Sequence, residues 1–230
     1  MKKTLTDHKA EEDNFFLPLL EKLGVGHDAQ RLFLSNIKSD EANRLVFQFN
    51  DNGNADVEYF GYNTHKLSTK NGIWLIGQQI LVKDVFLFYS AMEAIVFSHL
   101  FNLKFKFENS LFVALGAKPN KEQIRKIKIK YKNARYHTVF GNDLLSHIYD
   151  CKISMWLTNK DCMFFLKGDK LKILSQPNVE PVKTIEIDFL NFNYTSFCRK
   201  YGKRSNLTPH KPYNPRFNSF LEYIKDKNGF

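Results

Sequence analysis

At 230 residues the chain is long enough for one domain of moderate size or two small ones, with ample material for a hydrophobic core. Hydrophobic residues at 43% and charged residues at 25% are ordinary globular values, which exclude a mainly disordered chain. Against 24 Asp+Glu stand 34 Lys+Arg, a formal charge of +10. Such an excess points to nucleic acid, an anionic membrane surface or an acidic protein as partner, and says nothing about fold.

In chain order, residues 12–24 read as a short helix carrying Phe15, Phe16, Leu19, Leu20 and Leu23, with Pro18 at its start or at a kink and Gly24 at its end. Two β-rich runs, Leu45 to Phe49 and Val57 to Tyr62, flank an Asn/Asp/Gly cluster at 50–54 and predict a hairpin. Gly72 to Ile76 is a further short strand. The rhythm then changes. Val85 to Tyr89, Leu111 to Leu115 and Tyr136 to Phe140 are compact apolar runs suited to buried parallel strands. Between and after them lie helical stretches at Ala91–Leu100, 120–134 and 143–156, the alternation of an α/β sheet. Met163 to Leu166 and Leu171 to Leu174 either extend that sheet or form a hairpin over Lys167-Gly168-Asp169. Gln176 to Pro181 reads as a linker, Asp188 to Tyr201 as an amphipathic helix, and the remainder as a basic, Pro-punctuated arm ending in a short helix.

Three cysteines, Cys151, Cys162 and Cys198, form no CxxC pair and no zinc-ligand spacing with histidine, so reduced thiols and a cytoplasmic setting are expected. The charged first residues are not followed by an apolar stretch, unlike a signal peptide. The most apolar window, 85–101, is interrupted by Ser90, Glu93, Ser98 and His99 and is too short to span a bilayer. No phosphate-binding glycine loop, HExxH or GxSxG motif occurs.

Three segments carry a resemblance. VFLFYSAMEAIVF (85–97), ALGAKPNKEQIRKI (114–127) and HTVFGNDLLSHIYDCKI (137–153), in that order, resemble the Toprim domain of primase-like mobile-element proteins. The β-rich stretch before them, over 45–77, is similar to the segment that precedes the domain in primase and mobile-element versions. Together the resemblance covers roughly residues 44–155.

It implies a metal-dependent phosphoryl-transfer site at the carboxyl ends of the strands, where a Glu and a paired Asp-x-Asp hold Mg²⁺. Carried onto this chain, the Glu position falls on Tyr89 and the following acidic position on Glu93. The Asp pair falls on Gly141 and Asp143, and the glycine that usually follows falls on Ser146. Two of the three expected acids are therefore replaced, and a degenerate, non-catalytic site is expected, with no cofactor. Glu93 and Asp143 remain as weak catalytic or metal candidates. Asp143 is alternatively the N-cap of the next helix. His147 and Asp150 follow it at helical spacing, so that Asp143, His147 and Asp150 share a face as a further metal or acid/base candidate.

The charge has two addresses. Residues 118–135 carry eight Lys and Arg against Glu122 alone, and 199–230 carry eight against Glu222 and Asp226. On a helix Lys121, Arg125, Lys128 and Lys132 line one face, while Ile124, Ile127 and Tyr131 form the buried one. Arg199, Lys203, Arg204 and Arg216 are interleaved with Tyr201, Tyr213 and Phe217, the pattern of a phosphate-contacting surface with stacking platforms. The alternatives are a solvated outer helix and aromatics that dock the arm on the core.

The expectation is thus an α/β or α+β fold in three parts: a helix and β-rich segment over 1–80, a Toprim-like, mostly parallel sheet flanked by helices over 81–175, and a basic helical extension over 176–230. The expected function is non-catalytic nucleic-acid binding, single- or double-stranded, alongside replication or mobilisation proteins of a mobile element and without a membrane. The alternatives are a divergent Mg²⁺-dependent nuclease or nucleotidyl transferase using Asp143 and Glu93, and a protein-interaction module or element-encoded inhibitor.

Overall fold

The computed structural model describes residues 17–51, 54–77, 79–105, 107–175 and 183–230. The start of the expected 12–24 helix, two residues of the 50–54 turn and the expected 176–181 linker lie outside the described residues. Within them, Pro18 occupies the first helical position of α1 (Pro18–Lys22), where its missing N–H costs nothing. α2 (His27–Phe33) follows.

The expected hairpin forms. β1 (Lys38–Ser39), β2 (Leu45–Asp51), β3 (Asn54–Gly61) and β4 (Thr64–Lys66) make an antiparallel sheet in that order. Leu45, Phe47 and Phe49 alternate inward along β2, as a strand with one covered face requires.

The central sheet is mixed. It contains β5 (Trp74–Gly77), β6 (Asp84–Phe88), β7 (Ser110–Ala114), β8 (Arg135–Val139) and β12 (Thr208–His210), in the order β12-β8-β6-β7-β5. β12, β8, β6 and β7 run parallel, and β5 lies antiparallel on β7. Between the strands run α3 (Ala91–Phe101), α4 (Lys121–Lys130) and, after β8, α5 (Leu144–Trp156). Alternate residues of β6 divide between two cores. Phe86 and Phe88 pack with α1, α2, α3, the β2–β3 hairpin and α7 (Phe220–Asn228). Val85 and Leu87 pack with α4, α5 and α6 (Tyr194–Tyr201). Much of the phenylalanine content fills the first core, where Phe86 stacks on Phe112 and meets Phe97, Phe105 and Phe107 edge-on or tilted.

Several expectations change in detail. The two short runs after α5 form a hairpin, β9 (Cys162–Lys167) and β10 (Lys170–Ser175), and do not extend the central sheet. β11 (Thr184–Asp188) pairs with β10 and claims the start of the expected 188–201 helix. The helix itself begins only at Tyr194, where Asn193 and Ser196 form a reciprocal cap. The expected 120–134 helix starts with the same device, Asn120 with Gln123, and ends at Lys130 because Tyr131 leaves the helical region. The basic C-terminal stretch is part of the fold: β12 adds to the edge of the central sheet, and α7 packs on α3 through Phe97, Phe101 and Phe220. One sheet therefore draws strands from all three expected segments, 1–80, 81–175 and 176–230.

Among the described residues no helix is long and apolar enough to cross a membrane.

Candidate nucleic-acid interface and the carboxyl-end crevice

β6 is followed by a helix on one side of the sheet and β8 by a helix on the other, so the carboxyl ends of these neighbours form a switch point, where α/β sheets gather ligands. The crevice there has a volume of about 240 Å³ and is lined by Tyr89, Glu93, Gly141, Asp143, Ser146 and the start of α7, among others. Three helices begin at it, with Ser90, Asp143 and Ser219 as their N-caps.

Each of the three receives a carboxylate. Glu58, fully buried on β3, accepts the Ala91 and Met92 amides of α3 at 2.8 and 3.3 Å and lies 3.0 Å from His65 Nε2. Asp143 accepts the Ser146 amide at 2.9 Å and its hydroxyl at 2.6 Å. Glu93 accepts the Leu221 amide of α7 at 3.1 Å. Unpaired amides and the positive end of the helix dipole favour a negative group at these positions. Burial raises the Glu93 carboxyl above its ordinary range. Burial pushes Asp143 upward too, but the Ser146 hydroxyl and amide outweigh it and hold that group low.

The C-terminal segment closes the crevice. The Asn142 amide donates to the Asn218 carbonyl at 3.1 Å, and the Asn142 side chain donates to Phe217 O at 3.0 Å. A Cβ on Gly141 would collide with that same Asn218 carbonyl. Tyr89 stacks on Phe140 with centroids 4.1 Å apart, and burial drives its hydroxyl pKa far upward, so it stays neutral.

Asp143, His147 and Asp150 do share the α5 surface, but a lysine serves the buried acid. Lys211 Nζ lies 2.7 Å from Asp150 Oδ2 and donates to Gly141 O at 2.7 Å, whereas His147 Nδ1 is 4.0 Å from Asp150. Among the described residues no three His, Cys, Asp or Glu side chains are grouped to hold a metal. Cys151 and Cys162 are core thiols, the latter pushed by burial to about 12.

The basic residues have a definite distribution. Residues 118–204 hold 18 Lys and Arg against 8 Asp and Glu, and the rest of the chain holds 16 of each, so the whole excess of 10 lies in this stretch. Apart from β8, its elements are α4, α5, β9–β11 and α6, on the second side of the central sheet. Of the expected ridge, Lys121, Arg125 and Lys128 lie on α4, whereas Lys132 falls in the turn beyond its end; Lys121 and Lys132 have no side-chain partner among the described residues. Arg125 pairs with Glu122 at 2.8 Å, and Lys128 lies over the Tyr136 ring. At the end of α6, Arg199, Lys203 and Arg204 stand on this same side, with Lys203 bonded to Asn206 at 2.9 Å. Arg216 and Tyr213 do not. Arg216 pairs with Asp226 of α7 at 2.7 Å, and Tyr213, 83% exposed, neighbours Phe101 of α3. The interleaved aromatics mostly dock: Phe217 is buried, and Tyr201 stacks on Phe197.

One polar chain escaped sequence reasoning. Asp84 accepts from Arg135 through both oxygens at 2.7 Å, His137 Nε2 lies 2.9 Å from Asp84, and His137 Nδ1 lies 3.0 Å from His210 Nε2. Only the β8–β12 pairing brings these histidines together.

Comparison with protein-family models, characterised proteins and solved structures finds no significant match for this chain.

Proposed function

We propose that this chain is a non-catalytic nucleic-acid-binding protein with a Toprim-like central unit, acting with the replication or mobilisation machinery of a mobile element. The observation that favours the reading is that the stretch 118–204, which holds the positive excess of the sequence, folds apart from β8 onto one side of the sheet, with Lys121 on α4 and Lys132 just beyond it unpartnered among the described residues. Phosphate contacts need that arrangement: cations on one accessible surface, not spread over the whole molecule. The acids favour the same reading. Glu93 and Asp143 are occupied by helix amides, which leaves them poorly placed for the Mg²⁺-dependent nuclease or nucleotidyl-transferase chemistry that is the alternative.

The test is fluorescence anisotropy with single- and double-stranded oligonucleotides across a series of salt concentrations. Log affinity falls linearly with log salt, and a Lys121→Gln/Lys128→Gln/Lys132→Gln variant has a shallower slope. Absent or salt-insensitive binding refutes the proposal.

A second reading, a protein-interaction module, has one observation in its favour. A groove of about 540 Å³ runs between the end of α3 and the start of α7, with Leu103 98% exposed at its edge. That reading expects a protein partner and no nucleic-acid affinity at moderate salt.

A further inference from the structure

The three-stranded sheet on the second side of the molecule ends in an open strand. Its order is β11-β10-β9, so β9 lies at the edge, six residues long with the sequence CMFFLK. Cys162 and Phe164 face inward, Phe164 against Phe192 and Phe197. Met163, Phe165 and Leu166 are 40%, 47% and 60% exposed. Such an edge invites pairing, and folded chains commonly blunt it with proline, charge or shortness. The other sheet edges among the described residues follow that practice. β1 has two residues, β4 three and β5 four; β12 has three with Pro209 among them, and β11 exposes Thr184, Glu186 and Asp188.

Alternation along the hairpin identifies the free main-chain groups of β9. The Ser175 amide donates to the Lys183 carbonyl at 2.9 Å, so Ser175, Ile173 and Leu171 turn their main-chain groups toward β11. Leu174, Lys172 and Lys170 turn theirs toward β9, where they meet Met163, Phe165 and Lys167. Cys162, Phe164 and Leu166 therefore present amide and carbonyl outward. Cys162 is already served: its amide donates to Asp161 Oδ1 at 2.8 Å, and its carbonyl accepts from Lys152 Nζ at 3.1 Å. Phe164 and Leu166 are left with one donor and one acceptor each, none of them partnered among the described residues.

We propose that two copies of this chain join antiparallel along β9 into one six-stranded sheet, Phe164 of each exchanging both main-chain bonds with Leu166 of the other. A second copy is the fitting occupant because the free groups complement themselves. Two residues spaced two apart on one strand meet their own counterparts, in reverse order, about a two-fold axis. That register sets Phe165 opposite Phe165 on the axis, at a non-hydrogen-bonded site where Cα atoms approach to about 4.5 Å and side chains lie closest. It also covers Met163 with the aliphatic stem of the other copy's Lys167, and Leu166 with the other copy's Phe164. Charge favours the same arrangement. Lys167, the sole charge of β9, falls diagonal to Asp161 of the second copy, whereas a parallel pairing would set Lys167 beside Lys167. Gly168, with open space where a side chain would stand, faces Cys162 of the second copy. The pairing is independent of the nucleic-acid reading above.

The experiment is sedimentation velocity of the full chain over a concentration series, with disulfide trapping to read the register. Wild-type protein moves from 27.0 kDa toward twice that mass as concentration rises. Phe165→Lys sets like charges across the axis, and Leu166→Pro removes an outward donor while sparing every bond inside the hairpin. Each raises the dissociation constant at least about tenfold and keeps the circular dichroism of the wild type. Under mild oxidation Phe165→Cys crosslinks into dimers, its sulfurs meeting across the axis, whereas Met163→Cys and the wild type stay uncrosslinked. This second arm decides the matter where Phe165→Lys or Leu166→Pro fails to fold. A wild-type chain that is monomeric at every concentration, a dimer that survives both substitutions, or equal crosslinking from Met163→Cys overturns the proposal.

Discussion

The main chain of Asn218 crosses directly over Gly141: its carbonyl accepts the Asn142 amide at 3.1 Å and occupies the space that a Gly141 side chain would need. The position at which the Toprim resemblance expects an acid is therefore where the C-terminal segment seals the crevice. Gly141→Ala should destabilise the fold by about 1–3 kcal/mol through overpacking against backbone. Gly141→Asp should be worse and should confer no Mg²⁺-dependent rise in thermal midpoint. A stable Gly141→Asp protein that Mg²⁺ stabilises would contradict this.

Glu93 holds α7 by its first turn. Glu93→Ala strands the buried Leu221 amide and should cost about 1–3 kcal/mol in urea unfolding, while Glu93→Gln keeps an acceptor and costs less. Burial raises this carboxyl above 4.5 in the folded protein, so its contribution is full below that pH and is lost as pH rises through the folded value. The difference in stability between Glu93→Gln and wild type should accordingly shift in favour of the glutamine variant as pH rises. A difference that is flat with pH would show that the group does not titrate abnormally.

Lys211 and Asp150 form a buried ion pair at 2.7 Å beneath the same crevice. Burial pushes the Asp150 carboxyl up and the Lys211 ammonium opposes it. Lys211→Met leaves an uncompensated charge and should cost about 3–5 kcal/mol, much of it recovered in the Lys211→Met/Asp150→Asn double variant. Additive losses in chemical denaturation would show that the two residues do not act as a pair.

The His137–His210 contact has a pH signature. Burial lowers His137, and burial with the charges of His137 and Lys104 lowers His210 to about 4, so both fold in the neutral form. Their contribution is complete above the ordinary value of 6.5 and is lost as pH falls from there toward 4. Urea midpoints of the wild type should drop across that window more steeply than those of His210→Phe, which keeps the ring packing against Phe97 and Phe105. Parallel profiles would remove the pair from the pH response.

The strand–helix alternation from Val85 to Trp156 was legible in the sequence because its signals are local. Apolar runs of five residues mark strands, and Asn120 with Gln123 or Asp143 with Ser146 mark helix starts within a single turn. The cap alternative for Asp143 could be read for the same reason. The α4 ridge also followed from periodicity, since 3.6-residue spacing separates Ile124 and Ile127 from Lys121 and Arg125 wherever the helix packs.

Long-range choices were not legible. Leu221 lies 128 residues from Glu93, and no local pattern announces that the acid will cap α7. Arg216 and Lys203 look alike in sequence, yet one pairs with α7 on the first side of the sheet and the other stands on the second. Which strand edge receives β12, and which helix fills the crevice, depend on the joint burial of surfaces far apart in the chain. Local sequence set the elements and the sign of their charge; the packed core decided which charges remain available to a ligand and which are consumed in holding the fold together.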